Sequence, residues 1–212
     1  MERTQPLITI DTQKQLVDAY TDLLIDLGYG GDPHTHNTPT RLCAAYKDLF
    51  SGVGVDPKSV LGTKFSNVKM DDSVFAGCTV TSHFFDQMVH VAGIDFDSMC
   101  MHHFMPFCGT VHFSYIPYEH IIGLSKIPRL VEVLSRRPQI QENLTQEIAD
   151  AFQDVMQPIG CGVMIDAWHA CVTCRGVRKA NVRMRTTALH GAMRDAAKEE
   201  FLLAATASLS RV

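Results

Sequence analysis

Apolar residues recur at helical spacing between Asp11 and Gly28, where Leu16, Val17, Tyr20, Leu23, Leu24 and Leu27 form one stripe. Asp11 or Thr12 is the expected cap and the glycine the expected stop. The stretch HNTPTRLCAAYKDLFSG repeats the pattern, with Thr38 as cap, Pro39 in the first helical position, and Leu42, Ala45, Tyr46 and Leu49 as the stripe. From about Lys64 the period shortens to two, in VFAGCTV, SHFFDQMVHV and GTVHFSYIP; in the last of these Val111, Phe113 and Tyr115 share a face. Helical spacing returns in IPRLVEVLSRR and in ENLTQEIADAFQDVM, where Leu144, Ile148, Phe152 and Val155 lie on one side. After Pro158 and Gly160, CGVMIDAWHACVTC reads as strand, and a last amphipathic helix is expected around Arg194 to Leu209.

The order of elements argues for an α+β fold: an antiparallel sheet with helices gathered on one face. An N-terminal helical region over 1–62 leads into a sheet-bearing region over 63–212, and no repeat or low-complexity linker separates them, so one compact unit is expected. With 212 residues the chain can bury a sizeable core. Charged residues make up 20% and the net charge is -4, which gives no global attraction to nucleic acid or anionic membrane. No apolar run is long enough for a signal segment or a membrane span, so a cytoplasmic protein is expected.

Seven cysteines without framework spacing, in a chain expected to stay in the cytoplasm, point to thiols or metal ligands rather than disulfides. Cys100 and His103 stand at Cys-x-x-His spacing and Cys171 and Cys174 at Cys-x-x-Cys spacing. Taken together they make a four-ligand, closed structural zinc site. Strand alternation argues otherwise, since His169, Cys171 and Arg175 share one parity and Cys174 the other. If the strand runs on to Arg175, Cys174 points away and Cys100, His103 and Cys171 remain as three ligands, the set of a catalytic site; a strand that ends earlier removes that argument. Cys43, Cys78, Cys108 and Cys161 read as core thiols.

The segments CMHHF, IGLSKIPR, SRRPQIQENLTQEI and IDAWHACVTCRGV, in this order and spacing, resemble GTP cyclohydrolase I from about Thr38 to the final helix. The resemblance implies the tunnelling fold, an antiparallel sheet with two helices on one side, assembled from several subunits into a barrel and stacked as a homodecamer with sites between subunits. It implies Zn2+ on Cys100, His103 and Cys171, GTP as substrate, and hydrolysis at C8 of the guanine ring with release of formate to give 7,8-dihydroneopterin triphosphate. By the same resemblance His102 and His169 are the proton-transfer residues, and Glu142, with Gln141 beside it, meets the guanine edge. Ser125, Lys126, Arg129 and Arg175 meet the triphosphate, with Arg41 contributed by a neighbouring subunit. The basic run RGVRKANVRMR fits phosphate and subunit contacts better than nucleic acid, because no aromatic residues interleave it.

Two positions depart from the family pattern. Met101 stands where a glutamate is usual, and a thioether can neither orient a neighbouring histidine nor hold positive charge as a carboxylate does. Ala44 stands where some members carry a lysine, with Lys47 one turn on. Met101 therefore leaves two other readings open: a guanine- or pterin-binding homologue that turns over weakly, or a related tunnelling-fold enzyme acting on another purine.

Overall fold

The computed structural model describes residues 7–67, 73–75, 78–80 and 84–207. The chain forms two compact units, Met1–Val55 and Asp56–Val212. In the first, α1 (Ile10–Asp26) and α2 (Thr38–Leu49) pack together. The cap of α1 is Thr9, whose Oγ1 accepts from the Thr12 amide at 3.2 Å, rather than Asp11 or Thr12; Asn37, not Thr38, occupies the cap position of α2. The Tyr20 and Tyr46 hydroxyls meet at 2.7 Å between the two helices.

The second unit carries the short strands β1 (Lys64–Ser66), β2 (Ser73–Phe75) and β3 (Cys78–Val80), then the long strands β4 (Val89–Cys100) and β5 (Met105–Ile116). They are followed by β6 (His120–Ile122), α3 (Lys126–Ser135), β7 (Pro138–Gln139), α4 (Gln141–Met156), β8 (Gly160–His169), α5 (Ala170–Thr173), β9 (Met184–Gly191) and α6 (Lys198–Ala207). Five strands form the main sheet in the order β7-β4-β5-β8-β9. All neighbours run antiparallel except the two-residue β7, which is parallel to β4.

Alternation along the strands decides the core. Phe107, Val111, Phe113 and Tyr115 of β5, with Cys161, Val163, Ile165 and Ala167 of β8, face α3 and α4. Those helices return Leu130, Leu134, Leu144, Ile148 and Phe152, and the Phe152 ring meets Phe113 edge-on at 4.7 Å. Gly109 lets β5 and β8 approach this closely, because a Cβ there would lie 2.1 Å from the Asp166 carbonyl oxygen. Gly93, at φ +69, takes the irregularity where the β4–β5 register shifts between Val91 and Ile94.

Three expectations from the sequence need correction. SHFFDQMVHV is not strand throughout: residues 84–88 are irregular and β4 begins at Val89, while Ser82 and His83 lie outside the described residues, as does the side chain of Cys78. The C-terminal helix starts later than expected, at Lys198 after a 3-10 turn at Ala192–Arg194, and Ser208 and Leu209 lie outside the described residues. It also packs on the opposite face of the sheet: Phe201 and Ala205 cluster with Met164 and Met193, and a Cβ on Gly162 would meet Phe201 at 3.1 Å. Gly162 and Met164 alternate with the β8 residues that face α3 and α4, so helices cover both sides rather than one.

Candidate active site

Strand direction gathers the site. Both β4 and β8 are antiparallel to β5, so their C-terminal ends lie along one edge of the sheet, where α4 begins. Register is specific there: Met105 pairs with Cys100, while Phe107 pairs with Ser98 on one side and His169 on the other. The connection from β4 to β5 is the tight turn Met101–Phe104. The amides of His103 and Phe104 both reach the Cys100 carbonyl, at 3.4 and 2.8 Å, and Phe104 takes a left-handed φ of 49° to re-enter the sheet.

That turn folds His103 back over Cys100, leaving Sγ and Nδ1 3.9 Å apart. The third donor comes from beyond β8. Strand pairing stops at His169, and Ala170–Thr173 form one helical turn, so the alternation argument for Cys171 does not hold. The helical turn instead carries Cys171 to the pair. The donor atoms of Cys100, His103 and Cys171 all lie within 4.8 Å of one another. Among the described residues no further cysteine, histidine or carboxylate joins them. Cys174 is exposed at the end of the turn, with its Sγ 3.5 Å from the Thr173 hydroxyl.

The donor set fits a metal. Two thiols and an imidazole converge from a half-rigid frame, and burial together with the adjacent Cys100 pushes the Cys171 thiol up, with Arg175 pulling the other way. A cation placed among them would displace those protons and relieve the crowding.

His169 is half-buried beside this cluster, stacked on Phe107 with ring centroids 4.6 Å apart and planes within 3°. Burial lowers its pKa, and the carboxylate of Glu142 opposes that. The His169 Nε2 lies 2.8 Å from Oε1 of Gln141. A cavity of about 340 Å³ opens against His169, bounded also by Val172, Val182, Arg183 and Met184.

The other expected residues fall into three groups. Glu142 is exposed in the first turn of α4, where the helix dipole favours a carboxylate, and Arg175 is exposed just after α5. His102 is exposed in the β4–β5 turn, 6.2 Å ring to ring from His103. Ser125, Lys126 and Arg129 lie at the start of α3, where the Ser125 side chain caps nothing, and Arg41 is exposed on α2 of the N-terminal unit. The Gln141 side chain is fully buried and hydrogen-bonded at both ends. Sequence reading missed Phe107, Thr145 and Thr186, which hold His169 and Gln141; Thr145, four residues after Gln141 on a helix, was the only signal available.

Soft and imidazole donors converging beside a half-buried, oriented histidine, at the edge of an α+β sheet, form the kind of centre used by metal-dependent hydrolases. The chain belongs to the GTP cyclohydrolase I family, whose model matches residues 17–206. It is 43% identical over 165 residues to GTP cyclohydrolase 1 of Campylobacter concisus, covering 76% of this chain and 79% of that one. It is 40% identical over 186 residues to GTP cyclohydrolase 1 of Chlorobaculum tepidum, covering 85% and 76%. Among solved structures, the archaeosine synthase QueF-Like in the apo form matches with a TM-score of 0.42 and 15% identity over 49% of this chain and 93% of that one. No helix among the described residues is long and apolar enough to cross a membrane.

Proposed function

We propose that this protein is a zinc-dependent GTP cyclohydrolase that hydrolyses the guanine imidazole ring at C8, releases formate and yields 7,8-dihydroneopterin triphosphate. The convergence of Cys100, His103 and Cys171 beside His169, in a chain of this family, carries the reading. Zn2+ accepts both thiolate and imidazole, and once bound it acidifies water and polarises the bond to be attacked.

The chain's own residues then do the rest. His102, exposed next to His103, protonates the ring nitrogen as the ring opens. His169 moves protons during the later ribose rearrangement and closure. Glu142, exposed at the start of α4 and near enough to His169 to raise its proton affinity, accepts the paired N–H donors of the guanine edge. Ser125, Lys126, Arg129 and Arg175 meet the triphosphate, where guanidinium groups give bidentate contacts. Arg41 completes that site from a neighbouring subunit of a cytoplasmic homo-oligomer, a decamer built on the tunnelling fold. The catalytic region over 63–212 carries the metal donors and the proton-transfer histidines, and the helical region over 1–62 carries Arg41.

Met101 supports a second reading. It is 44% exposed in the turn between two histidines and the ligand cysteine, where a carboxylate would have stood in solvent contact with the same groups. A guanine- or pterin-binding homologue with weak turnover follows if that carboxylate is indispensable. Formate and fluorescent pterin formation from GTP separate the two. Turnover in the wild-type protein, accelerated by Met101→Glu, supports the cyclohydrolase; tight GTP binding without formate, restored only by Met101→Glu, supports the binding homologue.

A further inference from the structure

Gln141 is the first residue of α4, and nothing about its side chain is left to solvent. Its Nε2 faces three acceptors: the Met184 carbonyl at 2.9 Å, the Thr186 hydroxyl at 3.1 Å and the Ile165 carbonyl at 3.3 Å. Two of these are carbonyl oxygens, which accept and cannot donate. Turning the amide over would set Oε1 against both of them, so the nitrogen must point inward.

The hydroxyls enforce the same direction. Thr145 donates its proton to the Gln141 backbone carbonyl at 2.7 Å, so in its 2.6 Å contact with Thr186 it can only accept. Thr186 therefore donates to Thr145 and accepts from Gln141 Nε2, closing a circuit in which all the hydrogen bonds run in one consistent direction. All of this lies under α4, on the side where β8 and β9 pair.

With the amide nitrogen turned inward, Oε1 is the atom presented to His169, 2.8 Å from Nε2. A carbonyl oxygen accepts only, so His169 Nε2 must carry hydrogen. Phe107, stacked within 3° of parallel, holds the ring plane. We propose that Gln141 is a positioning residue that locks His169 as the Nε2–H tautomer, which makes Nδ1 the atom that takes up and returns protons. In the neutral ring Nδ1 is a free lone pair; after taking a proton from a substrate group, the imidazolium keeps the Gln141 bond and gives the same proton back from Nδ1. The ring ends each cycle as it began. The role in turnover rests on the cyclohydrolase reading, whereas the tautomer is a property of the resting protein.

The experiment compares full-length wild type with Gln141→Met, which keeps the volume and removes the acceptor, and Thr186→Val, which opens the circuit without touching His169. Magic-angle-spinning 15N spectra of histidine-labelled protein, with the His169 signals identified by their loss in His169→Gln, read the tautomer directly. The wild type is expected to show Nε2–H alone, as is Thr186→Val, which keeps both carbonyl acceptors and with them the amide's direction, whereas Gln141→Met is expected to show a mixture. Steady-state formate release from GTP is expected to fall about 10²-fold in kcat for Gln141→Met, the usual weight of a positioned acid or base, and less for Thr186→Val, with KM within about twofold in each. An Nδ1–H ring in the wild type overturns the proposal, as does an unchanged tautomer in Gln141→Met. A KM rise with kcat intact also overturns it, by making Gln141 a direct substrate contact, and so does a lowered melting temperature with unchanged kcat and tautomer. If Gln141→Met does not fold, the wild-type ring decides: Nε2–H alone supports the lock and Nδ1–H overturns it. A wild type that shows the Nε2–H ring but releases no formate overturns the cyclohydrolase reading and the turnover role while leaving the tautomer lock standing.

Discussion

The two faces of the main sheet bury polar groups in different ways. Under α3 and α4 the centre is apolar, and the buried amide Gln141 sits at the edge where the strands end, with all its bonds made. On the other face Asp166, His112 and Ser114 are buried through the middle of the sheet. Asp166 receives hydrogen bonds from Arg183 and Arg185, and His90 Nδ1 meets the Ser114 hydroxyl at 2.7 Å, but His112 Nδ1 has no hydrogen-bond partner among the described residues. Polar groups at the first face's edge are directional and lead to a histidine beside three metal donors. Those on the second face are partly compensated and lead to no donor cluster among the described residues. Buried polarity alone therefore does not mark the active site; a hydrogen-bond circuit that ends on a reactive group does.

The largest expected effect falls at the first face's edge. Cys171→Ala removes one of three donors, and formate production is expected to drop by at least about 10³-fold with loss of bound metal, read by metal analysis of the purified protein. Behind that edge, Phe152→Ala opens a void against Phe113 and Tyr115 and is expected to cost about 3–5 kcal/mol in denaturant unfolding. On the second face, Asp166→Asn weakens two arginine contacts and is expected to cost about 1–3 kcal/mol. Cys174→Ser, exposed and outside the cluster, is expected to stay within about 0.5 kcal/mol of wild type with metal retained.

Acid acts on both faces, since burial lowers the pKa of His169 on the first as it lowers that of His112 on the second. Burial holds the His112 pKa below its ordinary 6.5, helped by His90 and by Arg185 and opposed by Asp166. The folded protein thus binds fewer protons than the unfolded chain below 6.5, and stability present above that value is lost as pH falls through the window beneath it. Burial alone would raise Asp166, but the hydrogen bonds and charges of Arg185 and Arg183 outweigh it and hold the carboxyl below 3.8, so its stabilisation is lost only at lower pH still. His112→Phe is expected to flatten the first decline and leave the second, in melting temperatures recorded from neutral to acid pH.

Much of this arrangement was legible in the sequence, for identifiable reasons. Helical spacing located α1, α2, α3 and α4 to within a residue or a few, and Val111, Phe113 and Tyr115 revealed the buried face of β5 because alternation survives wherever one face is packed. Cys-x-x-His spacing paired Cys100 with His103 because a turn of that length returns the chain onto itself. What failed was the continuation of β8: HACVTC alternates as a strand does, but after His169 no strand pairs with it, and the backbone closes its hydrogen bonds as a helical turn, with the Cys174 amide on the Ala170 carbonyl at 2.9 Å. The side of the sheet covered by α6 was also hidden, since a helix's apolar stripe says that it packs but not against which face. Gln141 was placed by resemblance to its neighbour Glu142, and only the acceptors around its amide reveal its inward direction.

The central claim is that Cys100, His103 and Cys171 hold a metal that serves GTP ring opening. The most direct test measures bound zinc per chain and formate released from GTP in the same preparations of wild type and Cys171→Ala. The account predicts one zinc per chain and steady formate release in the wild type, and neither in the variant. Formate release at the wild-type rate from Cys171→Ala lacking zinc would contradict it.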